Sequence, residues 1–136
     1  MQVSGQCLCG AVRYQGDAEP AFQVKCYCTD CRRTSAAGHA AMIGLAREAI
    51  AVTGEVKEYR SKADSGADVA RGFCPDCGAG IYANNERMPH LIVLRASTLD
   101  DPNQFVPQLV VYASRAPVWD PVVEGVPTFA EAPPQP

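Results

Sequence analysis

The chain has 136 residues, of which 47% are hydrophobic and 20% charged, with a formal net charge of −3. That is the range of one globular domain with a modest core, and the acidic balance argues against a nucleic-acid partner. The longest apolar runs, such as Leu91-Ile92-Val93-Leu94, are too short to span a membrane, and Met1 to Gln6 lacks the charged lead and apolar core of a secretory signal, so a cytoplasmic protein is expected.

In chain order, Gln6 to Gln15 reads as two short extended pieces joined at Gly10, and Gly16 to Pro20 as a turn. Phe22-Gln23-Val24-Lys25 alternates as a strand and leads into Cys26. Arg32 to Gly38 reads as a short helical turn, and the apolar stretch Ala40 to Ala46 as a strand. Ile50 to Thr53 and Val56 to Arg60 bracket Gly54-Glu55 as a hairpin. Val69 to Phe73 and Ala79 to Tyr82 flank Cys74 to Gly78 as a second hairpin, in the manner of a zinc ribbon. His90 to Ala96 is the strongest strand, a continuous apolar run buried on both faces. Leu109 to Ala113 is a further strand or an edge. Six prolines fall between Pro117 and Pro136. That segment should run as extended coil, anchored by Trp119 and Phe129 and frayed from Pro133 to Pro136. The division expected is a domain over 1–120 and a Pro-rich tail over 121–136, packed on that domain or trailing from it.

The chain is organised around its seven cysteines. Cys26, Cys28 and Cys31 stand within six residues, and continued alternation puts Cys26 and Cys28 on the face of Phe22 and Val24. The turn Thr29-Asp30 returns Cys31 to the same point. Cys74-Pro75-Asp76-Cys77-Gly78 has the form of a metal knuckle, and Cys7-Leu8-Cys9, if extended, also projects both sulfurs to one side. Two pairs complete a tetrahedral set, whereas the triplet leaves one position free. Structural zinc is commonly closed by four protein ligands, and catalytic zinc keeps an open one. With seven thiolates on two Zn²⁺, the formal charge becomes −6.

Other readings compete. Disulfides would leave one cysteine over and do not persist in a reducing compartment. An iron–sulfur cluster suits thiolate ligands, although paired knuckles are more typical of zinc. His39 or His90 is a further way to close the triplet, and nothing in the sequence singles out either.

Three motifs then carry a resemblance: Gly5-Gln6-Cys7-Leu8-Cys9-Gly10-Ala11-Val12-Arg13-Tyr14, Cys26-x-Cys28-x-x-Cys31-Arg32-Arg33, and Phe73-Cys74-x-x-Cys77-Gly78-Ala79. Together they resemble the signatures of the glutathione-dependent formaldehyde-activating enzyme and centromere protein V family, over roughly residues 5 to 120. The tail segments Ala116-Pro117-Val118-Trp119 and Gly125-Val126-Pro127-x-Phe129 are similar to the family's C-terminal pattern. The resemblance implies a mainly β, tent-like fold of packed antiparallel sheets with zinc-ribbon-like knuckles. It implies two zinc ions per chain, a structural one on Cys7, Cys9, Cys74 and Cys77 and a catalytic one on Cys26, Cys28 and Cys31. It also implies carbon–sulfur lyase chemistry, the reversible joining of formaldehyde to glutathione.

The chemistry of the residues is compatible. Three thiolates favour a soft fourth ligand such as a substrate thiol, whose pKa a metal would lower before attack on an aldehyde. Arg32 and Arg33, beside the triplet, are candidates to bind a substrate carboxylate. Tyr27 stands where many short relatives carry His, and its ordinary pKa of about 10 suits packing over the metal loop better than proton transfer. Two functions are therefore carried forward. One is a zinc-dependent lyase acting on a small thiol and an aldehyde. The other is a non-catalytic zinc module for partner recognition, whose triplet would be closed by a protein side chain.

Overall fold

The structure is a computed structural model and describes residues 1–133; of the fraying expected over Pro133 to Pro136, the part from residue 134 on lies outside the described residues, and Pro133 itself lines a cavity. The fold is mainly β, as expected. Three strands, β1 (Gln2–Gln6), β2 (Arg13–Asp17) and β5 (Ile50–Thr53), form a small antiparallel sheet in the order β1-β2-β5. The larger sheet has seven, in the order β10-β3-β4-β9-β8-β7-β6. They are β3 (Phe22–Cys26), β4 (Ala40–Ala46), β6 (Lys57–Lys62), β7 (Asp68–Phe73), β8 (Gly80–Asn85), β9 (Leu91–Arg95) and β10 (Leu109–Val111). Its ladders are antiparallel except at the edge, where β10 runs parallel to β3.

Side-chain alternation, interrupted once where β7 and β8 shift register at Gly72 and Phe73, gives the large sheet two different faces. On one face Ile43, Leu45, Ile81, Ile92 and Leu94 meet Val3, Val12, Tyr14 and Ile50 of the small sheet and its hairpin loop, and this is the main core. On the other face the cross-strand pairs Val24↔Met42, Gly44↔Val93 and Arg71↔Ala83 lie in rows that floor a cavity. Gly44 belongs to that face, because a Cβ there would stand 2.5 Å from the Phe22 ring that lies across it. Every residue of β9 is buried, the apolar run Leu91 to Leu94 and the closing Arg95 alike.

Three local expectations are corrected. Ile50 to Thr53 and Val56 to Arg60 do not form a hairpin: β5 pairs with β2 in the small sheet, and β6 pairs with β7 in the large one. Gly54 makes the switch at φ +95°, pressed against the Ala11 carbonyl where a Cβ would overlap the oxygen. Cys7 and Cys9 are not in a strand but in the loop of the β1–β2 hairpin, closed by the Cys7 N–H donating to the Val12 carbonyl at 3.0 Å. The helix α1 (Thr29–Ser35) begins earlier than Arg32, because Cys28 caps it.

The tail from Pro117 makes no strand, yet it is tied down. The Phe129 N–H donates to the Val110 carbonyl at 2.9 Å, and the Ala113 N–H to the Phe129 carbonyl at 3.1 Å. Phe129 packs against the buried cluster that contains Val24, Cys26 and Val111, whereas Trp119 is 68% exposed and anchors nothing. Its neighbour Asp120 takes that part instead.

Tyr14 links the two layers, with its hydroxyl 2.7 Å from that of Thr98 beyond β9. Burial pushes its phenol up to about 12. A folded-state pKa above the unfolded value gives stability that is complete below pH ~10 and is lost as pH rises towards 12. In paired urea titrations at pH 9 and 12, Tyr14→Phe should therefore lose less stability than the wild type, by roughly 2 kcal/mol. Equal losses in both proteins would contradict the buried, protonated phenol.

Candidate metal centres and the adjoining cavity

The seven cysteines gather into two groups, four and three, with the sulfurs of each group within 4.8 Å of one another. The first joins the β1–β2 loop to the β7–β8 loop. The sulfur of Cys9 lies 3.7 Å from that of Cys7 and 3.8 Å from that of Cys74, although Cys9 and Cys74 are 65 positions apart in sequence. The knuckle is built as its sequence suggests. Gly78 takes φ +79°, its N–H donates to the Cys74 carbonyl at 2.8 Å, and the Cys74 N–H donates to Ala79 at 3.0 Å. Backbone N–H groups also reach the sulfurs. Val12 donates to Cys7 at 3.3 Å, and those of Ala79 and then Cys9 draw the Cys77 thiol down to about 6. Such a group is poised to exist as thiolate, the form that a metal requires.

The second group sits where β3 runs into α1. Cys26 ends the strand, Cys28 is the N-cap, and Cys31 lies in the first turns of the helix, one turn on from the cap. The Cys28 sulfur accepts the Cys31 N–H at 3.2 Å, as a Ser or Asp side chain would at this position. Hydrogen bonds from the thiols of Cys26 and Cys31, with backbone N–H groups of Cys31 and Asp30, pull Cys28 down to about 2, while Cys26 is pushed up as their donor. Among the described residues no His, Asp or Glu joins either group. His90 is exposed on the turn before β9. His39 is engaged elsewhere, its Nδ1 standing 2.5 Å from a carboxylate oxygen of Asp120.

Asp120 also receives the Tyr27 hydroxyl at 3.4 Å, and the Tyr27 and His39 rings lie 4.9 Å apart. Tyr27 is fully buried, and burial followed by the Asp120 charge raises its pKa, so it is a packing residue with a protonated hydroxyl. This clamp fastens the tail to the loop that carries the triplet.

Beside Cys26, Cys28 and Cys31 opens a cavity of about 400 Å³. Phe22, Val24, Met42, Val93 and Val111 make most of its wall, Tyr112 lines it in a left-handed backbone conformation (φ 56°), and Arg71 is its cation. Neither Arg32 nor Arg33, the guanidinium groups nearest in sequence, is part of the lining; both lie on α1, where Arg33 points to solvent. Arg71 donates to the Ser61 hydroxyl at 2.9 Å and faces the Asp30 carboxylate at 3.9 Å. Over the rim, Arg115 stacks on Tyr112 at 5.0 Å and pairs with Asp64 and Glu131 at 2.5 and 3.4 Å.

Sequence reasoning missed Arg95. It is 6% exposed, sits on the cavity face of β9, and donates to the Thr34 hydroxyl of α1 at 2.8 Å. One guanidinium nitrogen has no oxygen or nitrogen partner. Burial lowers its pKa and the neighbouring Cys31 sulfur opposes that shift, so the guanidinium lies beside the triplet. A charged residue closing an otherwise apolar strand, Leu91-Ile92-Val93-Leu94-Arg95, was the available signal.

Comparison with known proteins agrees with this arrangement. Residues 2–115 match the family model described as glutathione-dependent formaldehyde-activating enzyme. A Halomonas elongata protein, provisionally named a glutathione-dependent formaldehyde-activating enzyme, is 30% identical over 106 residues, covering 74% of this chain and 67% of that protein. The crystal structure of a Rhodobacter sphaeroides protein superposes with a TM-score of 0.58 at 20% identity, covering 72% of this chain and 88% of that one, and so shares the fold. With all three motif segments inside the matched region, the chain belongs to the glutathione-dependent formaldehyde-activating enzyme family.

Proposed function

We propose that the chain is a zinc-dependent carbon–sulfur lyase that adds an aldehyde of the formaldehyde kind to a small thiol such as glutathione, or removes it. The observation that carries this reading is a group of three thiols that no His, Asp or Glu among the described residues joins, set in the lining of a cavity. In this reading Cys7, Cys9, Cys74 and Cys77 hold a structural zinc and Cys26, Cys28 and Cys31 a catalytic one, in the reducing cytoplasm where free thiols persist. Four tightly grouped sulfurs fit a closed tetrahedral site, and three fit an open one. Bound to the triplet, zinc would supply a soft Lewis acid that takes a substrate thiol and holds it as thiolate at neutral pH.

The chain's own residues do the rest. Arg95, buried beside Cys31, offsets the net negative charge of three thiolates on a divalent ion, which would otherwise discourage an anionic substrate. The apolar wall offers the incoming molecule few competing polar groups, and Arg71 offers a guanidinium fork to a carboxylate on it. The Cys28 cap fixes the loop so that the three sulfurs remain convergent before any metal enters.

Two experiments test this. The four-cysteine group joins segments far apart in sequence, and metal bound only by the folded chain adds its affinity to stability, on the order of 10 kcal/mol. Cys74→Ser should thus give insoluble or unfolded protein, whereas Cys28→Ser should remain folded by circular dichroism and be inactive. A soluble Cys74→Ser protein with full zinc content would overturn the division of roles. In the second experiment cobalt replaces zinc. Adding a reactive thiol should change the visible absorption as a fourth sulfur ligand does, and the change should strengthen with pH up to about 8 to 9, where the free thiol ionises. Oxidised glutathione should leave the spectrum alone. Failure of glutathione, cysteine and every other small thiol to alter it would remove the lyase reading.

A further inference from the structure

We propose that the adduct handled at the triplet has an apolar body: one of its two halves, thiol or aldehyde, carries an alkyl or aryl group that lies along the large sheet, with at most one carboxylate directed to Arg71. This rests on the lyase reading above and names its substrate class.

The cavity begins at the triplet and runs across the strands. The same face of the sheet supplies Cys26 and, in continuous cross-strand rows, Val24, Met42, Val93, Ala83 and Val69. At about 400 Å³ it lies within the range of small-molecule sites, roughly 300 to 1,000 Å³. Glutathione offers two carboxylates, an ammonium and two peptide groups, each of which needs a partner if it leaves water. Against that the wall offers few. Arg71 is the one cation of the lining among the described residues; its terminal nitrogens meet Ser61 and Asp30, and its buried Nε is without a hydrogen-bond partner. The other polar groups of the lining are Asp30, Asp64, Ser65, Asn85 and the Tyr112 hydroxyl, and of these Asp30 faces Arg71 and Asp64 is taken by Arg115 at the rim. Arg32 and Arg33 do not contribute. The wall thus matches a hydrocarbon chain or ring much better than a zwitterionic tripeptide.

The reaction is balanced without any other reagent. The thiolate sulfur forms a bond to the aldehyde carbon, the electron pair of the C=O bond moves to oxygen, and that oxygen takes up the proton that the thiol gave up. The reverse reaction breaks the same carbon–sulfur bond. No atom changes place beyond these, and no external oxidant or reductant is required.

The test has two kinetic arms and one binding arm, all with the zinc-loaded full chain. In the first, formaldehyde is fixed and the thiol runs from ethanethiol to octanethiol. In the second, glutathione is fixed and the aldehyde runs from acetaldehyde to octanal. Exchange spectroscopy by NMR reads the catalysed rate over the spontaneous one. The third follows the methyl resonances of Val69, Val93 and Met42 as hexanethiol, hexanal or glutathione is added. In one kinetic arm kcat/KM should rise about fourfold per methylene, the effect of burying one, until the cavity is filled. Ala83→Leu should shorten the longest chain accepted. The arm that shows the rise identifies which half carries the apolar body. If glutathione with formaldehyde is turned over, both series are flat and neither hexyl compound moves the methyl signals, the apolar assignment is overturned and the lyase reading stands. If a hexyl compound moves them but no pair is turned over, the cavity assignment stands and the lyase reading falls. Neither binding nor turnover would overturn both.

Discussion

The convergence of Cys7 and Cys9 with Cys74 and Cys77 is the contact on which the arrangement of the two sheets depends. The two pairs come from the tips of two hairpins, one in each sheet, and Cys7 and Cys74 are themselves part of the core between the sheets. Without a shared ion, four thiols so close together would favour separation once ionised, since like charges repel strongly in a site of low dielectric. A divalent metal held there would reverse the sign of that interaction. It would turn four repelling groups into a cross-link between layers that are also joined by apolar contacts and the Tyr14–Thr98 hydrogen bond.

With one face of the large sheet committed to that core, its other face is free to build a site. The same alternation that sends Ile43 and Leu45 inward sends Met42 outward, and Gly44 leaves room there for the Phe22 ring. The strand β3 delivers Cys26 at its end, and the helix that follows returns Cys31, because Cys28 serves as the cap. Arg95 ends the row from β9 beneath them. Its burial is costly, and the neighbouring Cys31 and Cys26 sulfurs offset only part of that cost. The tail closes the arrangement from outside, through Asp120 on Tyr27 and His39 and through Phe129 on the cavity wall.

Much of this was legible in the residues. The strands Phe22 to Cys26 and Ala40 to Ala46 have the limits that their alternation and apolar runs suggest, and both cysteine groups assemble as their spacing suggests. Spacing is informative there because two sulfurs on a tight turn have few places to go. Partner choice between strands was not legible. Ile50 to Thr53 and the strand after it look like a hairpin, since each alternates and a Gly stands between them, yet no local signal says that the chain changes sheets at Gly54. Long-range approaches were equally hidden. Arg71 reaches the cavity and Arg95 the triplet from strands distant in sequence, whereas Arg32 and Arg33, adjacent to the cysteines, lie on α1 outside the cavity lining. Trp119 looked like the anchor of the tail by its size, but the polar pair Asp120 and His39 supplies the anchor.

The central claim is that seven protein sulfurs serve two metal ions, one closed and one open. X-ray absorption at the zinc edge tests it most directly, because it counts sulfur neighbours averaged over both ions. For protein carrying two zinc ions, the account predicts a mean of three and a half sulfurs per zinc, rising to four when a substrate thiol is added. A mean of four from the outset, or a value that no thiol alters, would contradict it.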